Sequence, residues 1–180
     1  SRNLLKALKM YFPENIYILF TPYINRSIFN DKNFQVITPK GLHKIFPSLW
    51  RSFFINFDFR KYKPEIFHGL SNEIPLGVNK RKVKTIVTIH DLIFVRYPEF
   101  YKLIDRKIYH FKFKYACENA NLIIAISEQT KSDILEYFKV DESKIRVVYQ
   151  CCNPIFFEKI EFSFEELSYK YKIPDNYILY

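Results

Sequence analysis

Short, unbroken apolar runs alternate along this chain with longer segments whose apolar residues return every three or four positions. The runs are IYILF (16–20), FQVI (34–37), EIFHG (65–69), TIVTIHD (85–91), LIIAIS (122–127) and IRVVY (145–149). Continuity, as opposed to in/out alternation, describes strands covered on both faces. Two intervening segments read as helices. In 101–120, Ile104, Ile108, Phe111 and Tyr115 recur at steps of four, three and four, which predicts an apolar face opposite Lys107, His110 and Lys114. In 127–140, Ser127 can cap, Glu128 suits the first turn, and Ile134, Leu135 and Phe138 are offered to a core. Strands separated by helices imply parallel pairing. The expected class is therefore α/β, a Rossmann-like, doubly wound parallel sheet with helices on both faces.

The two ends shape the expected domain organisation. FSFEELSYKYKIPDNYILY reads as a helix over about 163–172, a Pro-Asp-Asn break, and a fresh apolar strand from Tyr177. The division expected is one domain over 1–173 and the first residues of a second over 174–180. At the other end SRNLLKALKMYFPEN reads as a helix already in progress, so the chain is expected to continue upstream.

Composition narrows the partners. With 180 residues and 48% apolar content the chain can bury a core, which excludes a disordered segment. Its net charge of +9 favours anionic partners: nucleic acid, phosphorylated small molecules or an anionic membrane surface. The same richness in Lys, Ile, Asn, Phe and Tyr is what AT-biased coding produces, so charge alone does not select among them. Three cysteines without C-x-x-C spacing support neither a disulfide framework nor a zinc site, and a reducing cytoplasm is the expected setting. No apolar run is long enough to span a bilayer, so any membrane contact is expected to be peripheral.

Ligands of open parallel sheets bind at the carboxyl ends of the strands. Three runs place polar residues there: His68, Gly69, Ser71, Asn72 and Glu73 after EIF; His90 and Asp91 after TIVTI; Ser127 and Glu128 after LIIAI. Parallel topology alone makes these three converge on one crevice. For His90 the competing reading is a core histidine satisfied by backbone. Ser127 serves equally as a helix cap.

From about Lys63 to Phe156 the segments IFHGLSNEIPLG, KTIVTIHDLIFVRYPEFY, RKIYHFKFKYACENANLIIAISEQTKSDI and IRVVYQCCNPIF resemble the amino-terminal, acceptor-side half of a bacterial family 4 glycosyltransferase. These are retaining, two-domain GT-B enzymes related to mannosyltransferases of surface polysaccharide synthesis. The resemblance implies transfer of a hexosyl group from a nucleotide sugar to a glycan or lipid-linked acceptor, with no metal or other cofactor. It makes His90 the cleft imidazole that orients the donor sugar, with Asp91 beside it. Gly69 to Glu73 become the acceptor side of the crevice, and Ser127 opens an S-E-x-T turn facing a phosphate or sugar hydroxyl.

One loop departs from the family pattern, with Cys151 and Asn153 standing where Gly and Asp are expected. The spacing E-x7-E, which belongs to the family's second domain, recurs here at Glu65/Glu73, Glu128/Glu136 and Glu158/Glu166 by chance. A separate stretch, 47–64, interleaves Trp50, Phe53, Phe54, Phe57 and Phe59 with cations. From Lys40 to Lys63 six basic residues face one acidic, a net +5. Such a segment suits anionic lipid headgroups, or else a core helix with a basic outer side. Basic residues spread among helices, without a recognised binding motif, argue against nucleic acid. The rival to an enzyme is a non-catalytic module that binds an acceptor or a partner.

Overall fold

The computed structural model describes residues 2–23, 34–78, 82–150, 152, 154–158, 163–174 and 176–177. Two compact units emerge, Ser1–Gln150 and Cys151–Tyr180. The first opens with α1 (Arg2–Tyr11) and then β1 (Tyr17–Phe20) and β2 (Phe34–Ile37), which pair in parallel with Tyr17 opposite Phe34. A helical stretch follows, α2 (Pro47–Leu49), a wide turn (Trp50–Phe54) and α3 (Ile55–Tyr62). Next come β3 (Ile66–Gly69), β4 (Lys84–Ile89), α4 (Ile93–Arg96), α5 (Leu103–Asn119), β5 (Leu122–Ala125), α6 (Glu128–Phe138) and β6 (Ile145–Val147). Strands β3, β4, β5 and β6 form one sheet in that spatial order, every neighbouring pair parallel. Each apolar run named from the sequence thus contains a strand. The architecture is the α/β class expected, parallel sheets flanked by helices.

Register explains which side of the sheet carries the core. Gly69, Val87, Ile123 and Ile145 lie in one lateral row, and Ile89 pairs with Ala125 in the next. Thr85, Val87, Ile89, Ile123, Ala125 and Ile145 are all buried, whereas Ile86, Thr88, Leu122 and Ile124, which point the other way, are half-buried. Burial therefore alternates along β4 and β5 even though hydrophobicity does not. Helix α6 packs on β5 and β6 through buried Ile134 and Phe138, as its sequence pattern predicts. Phe20 of β1 joins the same core, its ring 5.8 Å from Phe59 and 6.4 Å from Phe67.

Helix α5 corrects the expected amphipathic pattern. Ile104 is 72% exposed, and Ile108 and Phe111 are exposed as well. Of the four residues assigned to an inner face only Tyr115 packs against the core, its hydroxyl accepting from the Gly77 N–H at 2.6 Å. The buried side is instead Ala116 and Cys117, with Phe113 beside them. Small side chains let a helix approach a strand closely, so size, not hydrophobicity, chose the face that meets β4. Burial pushes the Cys117 thiol up to about 12, which leaves it a core residue without thiolate character.

The second unit contains α7 (Phe164–Tyr171), capped by Ser163, whose Oγ accepts from the Glu166 N–H at 3.4 Å. The helix expected over 163–172 is present. The strand expected from Tyr177 lies, beyond Tyr177 itself, outside the described residues, as do Lys80, Arg81, Cys151 and Asn153.

These burial patterns make opposite predictions for two isoleucines. Ile123→Ala should lower the unfolding free energy by about 2–5 kcal/mol, because Ile123 is fully buried between strands and helices. Ile104→Ala should change it by less than about 0.5 kcal/mol, and paired urea titrations compare them directly.

Candidate functional site

Strand β3 ends at Gly69 for a steric reason. The following loop folds back so tightly that a Cβ at Gly69 would collide with the Glu73 carbonyl oxygen. That return is held by the Asn72 N–H, which donates to the Thr88 carbonyl at 3.1 Å. Asn72 adopts a left-handed φ of 61°, a conformation that asparagine tolerates better than most residues. Its side chain is thereby aimed at the end of the next strand.

His90 sits at that end and is gripped on all sides. Its N–H donates to Asn72 Oδ1 at 2.7 Å, and its carbonyl accepts from Thr130 Oγ1 at 3.1 Å. Its ring Nε2 lies 2.9 Å from the Leu70 carbonyl, and Nδ1 lies 3.3 Å from Gln150 Nε2. A carbonyl can only accept, so Nε2 carries the proton and Nδ1 presents a lone pair. The Gln150 contact is exposed and long, and Nδ1 is consequently the atom a ligand can reach.

Ser127 takes part through Thr130. The Ser127 Oγ accepts from the Thr130 N–H at 3.1 Å, capping α6, and lies 3.0 Å from Thr130 Oγ1. Because the Thr130 hydroxyl proton is committed to the His90 carbonyl, the Ser127 hydroxyl must be the donor to Thr130. One relay thus ties the ends of β3, β4 and β5 together. Of the residues named from the sequence, Gly69, Asn72, His90 and Ser127 belong to this cluster.

The others lie differently. Asp91 is exposed, its Oδ1 accepting at 3.1 Å from the N–H of Ile93, the first residue of α4. Ser71 is exposed. Glu73 turns to two cations, with Arg51 Nε at 3.0 Å on one oxygen and Lys112 Nζ at 2.7 Å on the other, so it ties the loop to the helical stretch and to α5. His68 faces the half-buried side of the sheet, where its Nε2 meets Thr88 Oγ1 at 2.8 Å. Burial lowers its pKa from the ordinary 6.5.

A cavity of about 320 Å³ opens beside Asp91, bounded by Leu92, Arg96, Gln129, Thr130 and Asp133. Within it the buried Asp133 carboxylate holds Arg96 Nη1 at 2.9 Å and Gln129 Nε2 at 2.8 Å. A larger cavity of about 630 Å³ is lined only by α4 and α5 side chains and contains no strand-end residue. Among the described residues no group of three or more His, Cys, Asp or Glu is placed to hold a metal ion.

Gln150, Arg96 and Asp133 lie outside the motifs read from the sequence, and Thr130 enters there only as the last residue of the S-E-x-T turn. Gln150 carries the same signal as His90, since it follows the apolar run of β6 just as His90 follows that of β4. Thr130 stands three residues after a capping serine, the usual place of a capping partner. Arg96 and Asp133 lie 37 positions apart and nothing local links them.

Comparison with known proteins then bears on this geometry. The sequence profile described as Glycosyltransferase Family 4 matches residues 17–154. Among solved structures, a glycosyltransferase from Rickettsia africae ESF-5 aligns with a TM-score of 0.56 at 21% identity, over 97% of this chain and 46% of that one. The chain therefore spans less than half the length of that structure, and the likeness is one of fold. No curated protein matches the sequence.

Two measurements probe the site's architecture. Gly69→Ala should lower the unfolding free energy by about 1–3 kcal/mol, seen as an earlier urea midpoint, because the Glu73 carbonyl must move. For His68, a folded-state pKa below 6.5 means that the unfolded chain binds the proton more readily. Its contribution is intact above about pH 6.5 and is lost as pH falls below that value. His68→Gln should therefore flatten the decline of stability between about pH 6.5 and 5, measured by thermal melts across that range.

Proposed function

Because the chain belongs to glycosyltransferase family 4, we propose that it forms the acceptor-side half of a retaining GT-B enzyme of surface polysaccharide synthesis. The proposed reaction moves a hexosyl group, mannosyl being the first to test, from a nucleotide sugar to a glycan or lipid-linked acceptor. The observation that carries the reading is the grip on His90. Four hydrogen bonds, two from the loop after β3, one from α6 and one from the segment after β6, hold the backbone and ring of one histidine at the ligand-binding edge of a parallel sheet. A histidine needed only for packing does not require its backbone and ring to be fixed together.

Sugar transfer from a diphosphate leaves negative charge on the nucleotide and positive character on the sugar ring. With the proton on Nε2 engaged by the Leu70 carbonyl, His90 offers a hydrogen-bond acceptor at Nδ1. That atom suits a sugar hydroxyl, which displaces the Gln150 amide and is thereby oriented. His90 acts in this scheme by positioning and leaves the proton balance of the reaction unchanged. The exposed Asp91 carboxylate stands at the same edge, where developing positive charge on the ring would be favoured by it. Ser127 and Asn72 are positioning residues that work through the His90 backbone. The donor nucleotide is assigned to a second domain.

The test uses the longest open reading frame that encodes this chain, screened for turnover of nucleotide hexoses. His90→Ala should reduce kcat by roughly a hundredfold with the melting temperature held within a few degrees. Turnover near that of the unaltered protein would refute the assignment, and absence of any nucleotide-sugar turnover by the parent protein would favour the binding-module reading.

A further inference from the structure

The stretch from Lys40 to Lys63 leaves a line of apolar side chains turned to solvent. A wide turn is responsible. The Ile55 N–H bonds the Trp50 carbonyl, five residues back, so the inward positions fall at Trp50, Ile55 and Phe59. The outward positions are then Leu49, Phe53 and Phe57, with Phe46 one turn earlier, all exposed, Phe57 at 61%. A core helix with a basic outer side accounts for Trp50 and Phe59 and leaves these four unexplained.

Cations border the line. Arg60 lies with its guanidinium 6.0 Å from the Phe57 ring centre, and Lys44 and Lys61 are exposed nearby in the same stretch. Its single carboxylate, Asp58, is half-buried and engaged by the Trp50 side chain, and burial pushes its pKa upward. What faces outward is therefore aromatic and cationic together, from a segment of net charge +5.

We propose that the outer side of residues 44–61 docks on an anionic lipid bilayer surface, Phe46, Leu49, Phe53 and Phe57 entering the headgroup layer while Lys44, Arg60 and Lys61 meet lipid phosphates. Aromatic and aliphatic side chains ringed by Lys and Arg are the composition of interfacial anchors. A second copy of the chain is disfavoured as the occupant, since it would set one +5 segment against another. No described helix is long and apolar enough to cross a membrane, so the contact is one of surface. Docking here does not depend on the sugar-transfer reading, and binding to vesicles requires no donor.

Sedimentation with phosphatidylcholine vesicles, pure or mixed with phosphatidylglycerol, tests this. The protein should partition at least about tenfold better onto the mixed vesicles at low salt and lose that advantage at high salt, each cation near the surface contributing about fivefold. Phe53→Ser with Phe57→Ser should cut partitioning about tenfold or more while the thermal melt stays unchanged. Arg60→Glu with Lys61→Glu should abolish the preference for anionic vesicles. Equal and negligible pelleting with both vesicle types would overturn the proposal, as would variants that bind like the parent. A dimer in sedimentation velocity that the phenylalanine variants dissociate would overturn it too, by giving the face to a second copy.

Discussion

Parallel hydrogen bonding among β3, β4, β5 and β6 is the constraint from which the rest of the molecule follows. Parallel neighbours cannot be joined by a tight hairpin, so each strand must be left through a crossover that returns to the opposite edge. Every crossover therefore departs from the same edge of the sheet. Chemistry collects there because backbone groups past the last ladder bond need partners, and side chains on adjacent departing loops are the nearest available.

How that need is met gives the site its rigidity. The His90 N–H and C=O, unpaired by any strand, are taken by Asn72, from the loop after β3, and Thr130, from the first turn of α6. Each of those partners is itself constrained, Asn72 by its left-handed turn over Gly69 and Thr130 by the Ser127 cap. The imidazole thus inherits its orientation from backbone geometry. An exposed histidine on a free loop would have to lose that freedom at the moment of binding.

Packing and exposure follow a different logic from patterning. On α5 the fully buried side chains are Ala116 and Cys117, and larger apolar groups are left outside. Between Trp50 and Phe59 one extra residue in a turn separates buried aromatics from exposed ones. In both places a helix carries more hydrophobic surface than the core accepts, and the excess is concentrated next to cations.

Sequence alone determined the strand positions, because unbroken runs such as TIVTI and LIIAI have no other stable use than a buried ladder, and from strand order it determined that His90, Ser127 and the Gly69 loop share an edge. It determined the cap of α6 and the position of α7, whose signals are local. Only tertiary structure decided which groups touch. Glu73 faces Arg51 and Lys112, His68 faces Thr88, and Arg96 meets a buried Asp133. It also decided which side of α5 is buried. Those outcomes depend on distances between elements far apart in the chain, set by side-chain volume and by a single non-α turn, and neither periodicity nor charge along the sequence contains that information.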